Sequence, residues 1–157
     1  MVGDLIVNEK VIVGLGETGL SVAKFLASRN QKFKVIDSRS NPPALSELKR
    51  ILPEIETEVG ELKLKTLLGA SELVISPGLS LKTPVIAEAA EQGVAITGDI
   101  DIFSKSVSKP IIAVTGSNGK STVVAILAHI LEKAGKKYGL GGNLDGTNFK
   151  PALERTY

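Results

Sequence analysis

The chain has 157 residues, 43% of them hydrophobic and 23% charged, with no cysteine and a formal net charge of +2. This fits a folded chain of one domain, or one domain and part of another, and it excludes a disulfide framework or a thiolate zinc site. The small net charge and the 4% aromatic content argue against nucleic acid as a partner. No apolar run reaches the ~20 residues of a membrane span, and the start MVGDLIVNEK lacks the pattern of a secretion signal, so a cytoplasmic location is expected.

Residues 11–15 form a short β-branched run that enters the turn Gly14-Leu15-Gly16-Glu17-Thr18-Gly19. Leu20, Val22, Ala23, Phe25, Leu26 and Ala27 then recur at helical spacing, and residues 33–36 read as a second strand with Asp37 at its end. Such an order is the dinucleotide-type fingerprint, in which glycines admit a pyrophosphate and an acidic residue takes a ribose hydroxyl. The competing reading is a glycine turn that only lets strand and helix pack closely. Glu17 lies inside the turn, where it would crowd a pyrophosphate unless turned away. Ser38 and Arg39 follow at the C-terminal edge of the sheet, where open α/β sheets bind ligands, although Arg39 also reads as a solvated surface charge.

Asn41-Pro42-Pro43 is a turn, and residues 44–52 have helical spacing with Ser46 or Asn41 as the cap. Residues 55–59 alternate as a half-exposed strand, and 62–68 form a short helix that Gly69 stops. Residues 72–75 are a strand that runs into Ser76-Pro77-Gly78, a turn whose glycine N–H can meet an anion. A helix starts near Thr83-Pro84, buries Val85, Ile86, Ala89 and Ala90, and stops at Gly93. Residues 94–96 are a fifth strand, and Gly98-Asp99 opens an amphipathic helix through Ile100, Ile102 and Phe103. Strict alternation predicts an α/β fold, a Rossmann-like parallel sheet with helices on both faces and right-handed crossovers, over residues 1–103.

Residues 104–110, SKSVSKP, read as a linker to a second unit at 111–157. There, the strand 111–114, the helix after Lys120 and the strand 138–140 would be the first βαβ of a P-loop ATPase-like domain. The turn TGSNGKST aims Gly116, Ser117, Asn118 and Gly119 at the start of that helix, a natural place for phosphate. Val114 holds the place of the first glycine of the usual P-loop. Lys120 brings a point charge, and the hydroxyls of Ser121 and Thr122 can reach a phosphate oxygen or its Mg²⁺, with Ser121 the candidate metal ligand. The stretch is therefore a candidate ATP site.

AVTGSNGKST, GLGETG, DSR after the second strand, SPG after the fourth and GDI before the linker, in that order, resemble the Mur ligases of peptidoglycan synthesis. Among these, the chain is most similar to the branch that adds D-glutamate. The resemblance spans residues 11–143 and implies that the first unit holds a UDP-sugar, UDP-N-acetylmuramoyl-L-alanine, at Thr18, Asp37, Ser38, Arg39 and Gly78. Asn143, in GGN, is similar to a residue near that substrate. The glycine turn would then serve UDP and not NAD, and Glu17 stands where close relatives often carry an apolar residue. The implied reaction uses ATP and Mg²⁺ to turn the substrate carboxylate into an acyl phosphate, which the amine of D-glutamate attacks to form an amide. Lys120 would be the catalytic cation on the phosphates.

The sequence after Leu144 departs from the family pattern, so the chain is expected to be the N-terminal part of a ligase, able to bind UDP-sugar and unable to complete catalysis. The complete enzyme is expected to be a monomer. Val123, Val124, Ile126, Leu127, Ile130 and Leu131 form one apolar helical stripe, which is expected to pack on the first unit, pair with a second copy, or leave its segment mobile. His129, the single histidine, is expected on the helix surface. The rivals are an NAD(P)-binding regulatory module and a nucleotide sensor without catalysis.

Overall fold

The structure is a computed structural model and describes residues 9–141. Strand β1 (Lys10–Val13) is followed by α1 (Glu17–Ser28), β2 (Phe33–Asp37), α2 (Leu45–Ile51), β3 (Thr57–Val59), α3 (Leu64–Leu68), β4 (Glu72–Ile75), α4 (Pro84–Glu91), β5 (Ile96–Thr97), α5 (Asp99–Ser106) and α6 (Lys120–Lys133). The strands form one parallel sheet in the order β3-β2-β1-β4-β5, with Val13 opposite Ile36 on one side and Ile75 on the other. The Rossmann-like alternation expected from the sequence is therefore present. Its order reverses between β1 and β4, which opens a crevice at their C-terminal ends.

The period of two along each strand sorts side chains between the two faces. Ile12, Val35 and Val74 join α1 and α2 in one core, with Ile102 and Phe103 of α5 packed against it. Val11, Val13, Ile36, Leu73 and Ile75 point the other way, onto Leu67 of α3 and Ile86 and Ala89 of α4. Because both faces are covered, Val11, Ile12 and Val13 of β1 read as an unbroken apolar run.

Several boundaries differ from those read in the sequence. The cap of α2 is Ala44, with no side-chain cap bond, in place of Ser46 or Asn41. The turn closed by Leu45 N–H on Pro42 O leads straight into the helix, so Ser46 already lies in its first turn. Helix α5 runs three residues into the expected linker, through Ser106, and Asp101 accepts the Gly98 N–H at 3.1 Å to close its start. Residues 111–114 and 138–140 are not strands, although the helix between them forms where expected. A strand is made by its neighbour's hydrogen bonds, and the described residues bring no neighbour to either segment.

Half of the apolar stripe of α6 stays open, while Val124, Leu127 and Leu131 are half-buried. Val123, Ile126 and Ile130 are 46%, 54% and 55% exposed, and Ala128 is the one buried residue of the helix. The stripe is therefore not fully covered by any described part of the chain. His129 is exposed, as expected.

Candidate functional site

A cleft of about 450 Å³ lies over the C-terminal ends of β1, β2 and β4, lined by Gly14, Gly16, Glu17, Thr18, Asp37, Ser38, Arg39, Ser76, Pro77, Gly78 and Leu79. Five residues singled out from the sequence, Thr18, Asp37, Ser38, Arg39 and Gly78, meet here from the start of α1, the end of β2 and the loop after β4. Asn143 lies outside the described residues.

The floor of the cleft is the junction between β1 and α1. Gly14 N–H donates to Ile36 O at 2.8 Å and ties the turn to β2, while Ser76 Oγ donates to Gly14 O at 2.9 Å and ties it to the loop after β4. Helix α1 begins at Glu17 after an extended Gly16 and has no side-chain cap. Its first-turn N–H groups have no partner inside the helix and carry the positive end of the helix dipole, so they form an anion-facing surface beside Thr18. Glu17 is exposed and lines the same cleft, where its charge meets any bound anion.

Asp37 departs from the simple fingerprint. Its carboxylate is only 2% exposed. Oδ1 accepts the Arg39 backbone N–H at 2.8 Å and the Arg39 Nε–H at 2.9 Å. Oδ2 accepts the Leu15 N–H at 2.6 Å and the Arg39 Nη2–H at 2.7 Å. An acidic residue ending β2 was expected to take a ribose hydroxyl; here its acceptor positions are already engaged within the chain.

Burial by itself would raise the Asp37 carboxyl, yet the Arg39 side chain, the Leu15 N–H and the Arg39 N–H outweigh it and lower the pKa from 3.8 to about 2. The folded chain thus holds this proton less tightly than the unfolded chain. Its contribution to stability is fully present above about pH 4 and is lost as the pH falls through about 2. Urea unfolding of the unaltered chain and of Asp37→Asn down that range is expected to show their stability difference shrinking with acid. A difference independent of pH would count against the clasp.

Ser76, Pro77 and Leu79 were not among the predicted site residues. The motif SPG was visible, but only the placement of β4 beside β1 puts Ser76 against Gly14.

The second candidate site is the turn before α6. Gly119 caps the helix in the left-handed region at φ 76°, which a β-carbon disfavours and glycine accepts, so the loop can turn its backbone toward one point. Lys120 Nζ donates to Gly116 O at 2.5 Å and lies 3.5 Å from Ser117 O, holding the turn closed on itself. Ser117, Asn118, Ser121 and Thr122 are exposed around it. The residues fit a phosphate chain, and Ser121 could give one hydroxyl to a Mg²⁺ that takes its other oxygens from phosphate and water. Among the described residues no group of three acidic or histidine side chains is placed to hold a metal ion.

Residues 8–98 match the model of the Mur ligase MurD-like N-terminal domain, and residues 114–156 match that of the Mur ligase middle domain, so the likeness continues past Leu144, where the sequence was expected to leave the family pattern. The UDP-N-acetylmuramoylalanine–D-glutamate ligase of Pseudomonas aeruginosa is 46% identical over 145 residues, 92% of this chain and 32% of that protein. The enzyme of the same name from Coxiella burnetii shows the same figures. The chain therefore spans about a third of the length of the curated relatives it matches. A solved pseudomurein peptide ligase type C from Methanothermus fervidus superposes with a TM-score of 0.54 at 26% identity, over 82% of this chain and 26% of that one. A UDP-N-acetylmuramate:L-alanyl-gamma-D-glutamyl-meso-diaminopimelate ligase from Neisseria meningitides superposes with a TM-score of 0.55 over 91% of this chain and 45% of that one; at 20% identity it supports the fold alone.

Proposed function

Since the chain belongs to the Mur ligase family, we propose that its first unit binds UDP-N-acetylmuramoyl-L-alanine in the cleft above β1, β2 and β4. Its second unit would contribute the ATP loop of a D-glutamate-adding ligase. The observation that carries this reading is the convergence of Thr18, Asp37, Ser38, Arg39 and Gly78 on one cleft at the reversal point of the sheet. The cleft offers helix N–H groups and a guanidinium, both suited to a diphosphate, and the fixed walls orient the attached sugar.

In the proposed reaction the substrate carboxylate attacks the γ-phosphorus of ATP, ADP leaves, and the amine of D-glutamate then displaces phosphate from the acyl phosphate to form an amide. ATP and Mg²⁺ supply the phosphoryl group and part of its charge neutralisation. The part of this chain is to hold the phosphates. The N–H groups of Gly116 to Gly119 and the start of α6 face them, and Lys120 exchanges the carbonyl of Gly116 for a phosphate oxygen. That exchange replaces a neutral acceptor with an ionised one, which adds direct attraction between opposite charges to a bond whose donor is already charged. No described helix is long and apolar enough to cross a membrane, and we place the activity in the cytoplasm with its nucleotide substrates.

Titration calorimetry with UDP-N-acetylmuramoyl-L-alanine, NAD and ATP tests the reading. Binding of the UDP-sugar with no heat from NAD is expected; the reverse pattern would sink it. The 157 residues by themselves are expected to bind without turnover. Phosphate release at ~1–10³ s⁻¹, an ordinary enzymatic rate, would show that they suffice for catalysis.

A further inference from the structure

A carboxylate accepts about four hydrogen bonds, and Asp37 has its full set from Leu15 and Arg39. A ligand hydroxyl gains nothing from it without displacing one of them. Arg39 is in the opposite position. Its Nε and Nη2 are engaged by Asp37, while Nη1 and the second Nη2 proton remain, on a side chain 53% exposed at the cleft. The same carboxylate grips the Leu15 N–H, inside the glycine turn. It thereby fixes two walls of the cleft against each other, one from β1 and one from the end of β2.

We propose that Asp37 is a positioning residue that locks the Arg39 guanidinium in one orientation, so that this wall of the cleft aims guanidinium donors at an oxygen acceptor of the nucleotide and offers a ribose hydroxyl no free carboxylate. The inference rests on the cleft being the nucleotide–sugar site. It changes the role of Asp37 within that site, from ligand acceptor to scaffold. It also accounts for a β2-terminal acid in a chain whose relatives use a uridine nucleotide: the acid is kept for what it does to the arginine.

The test is UDP titration of the unaltered chain, Asp37→Asn, Arg39→Ala and the double variant. Asparagine keeps the size of the side chain and one oxygen for Leu15, but it cannot hold the guanidinium by two charged bonds. Each single change is expected to weaken UDP about tenfold or more, and the double variant is expected to lie within about threefold of Arg39→Ala alone, because the two residues act as one unit. The Asp37→Asn loss is expected to be equal for UDP and 2′-deoxy-UDP. Losses that multiply, or an Asp37→Asn effect that vanishes for the deoxy ligand, would show Asp37 touching the ligand itself and would overturn the proposal.

The Arg39 Nε–H resonance gives a readout that needs no variant. It is expected to stay protected from exchange when UDP saturates the unaltered chain; its release on binding would also overturn the proposal. If the unaltered chain binds no UDP, the nucleotide–sugar reading fails and the proposal falls with it, a result distinct from binding with multiplicative losses.

Discussion

Replacing Gly19 with alanine is expected to destabilise the first unit by about 3 kcal/mol, the upper end of the usual cost of overpacking. A methyl group built on Gly19 overlaps the carbonyl oxygen of Gly14 and sits 3.0 Å from its carbonyl carbon. The obstruction is backbone, so no side chain can turn aside to relieve it. Helix α1 would have to back away from β1, taking its first-turn N–H groups out of the cleft. UDP binding should therefore fall together with stability. Gly16, in the same turn, has open space where a β-carbon would be, and Gly16→Ala is expected to cost less than about 1 kcal/mol. Urea unfolding of both variants distinguishes them. A Gly19→Ala variant within about 1 kcal/mol of the unaltered chain would mean that the helix-to-strand approach is not tight.

Lys120→Ala is expected to lower ligase turnover by about 10²–10³-fold, the loss typical of removing one donor aimed at developing charge. The measurement needs a complete catalytic apparatus, for which a hybrid of residues 1–141 with the remainder of the Pseudomonas aeruginosa ligase, 46% identical over the shared part, is suited. Phosphate release by the hybrid, with and without the substitution, gives the ratio. The fold should be unaffected, since Lys120 bonds only the carbonyls of its own turn, at Gly116 and Ser117. A reduction below tenfold would remove Lys120 from the phosphoryl transfer and return the turn to a structural role.

The alternation of elements was legible because local rules write it. Residues 72–75 end where the expected strand ends, Pro84 opens α4 from the first helical position, and α6 starts on Lys120. Less was legible where a local rule meets a competitor. Ser46 has the chemistry of a helix cap but falls inside the first turn, because the Pro42 turn delivers the chain one step earlier. Residues 111–114 have the composition of a strand, and composition alone cannot supply the adjacent ladder.

The candidate site divides along the same line. Sequence by itself determined that a glycine turn, an acid with an arginine two residues on, and a Ser-Pro-Gly turn all follow apolar strands, and that a GKST turn opens a helix. Those features depend on neighbours in the chain. Only the tertiary structure decided that β4 lies beside β1, setting Ser76 against Gly14, because strand order is fixed by how the two helical layers cover the sheet and not by any single strand. It also decided the role open to Asp37. Whether a carboxylate is available to a ligand depends on which donors fold around it, and here Leu15 and Arg39 arrive first.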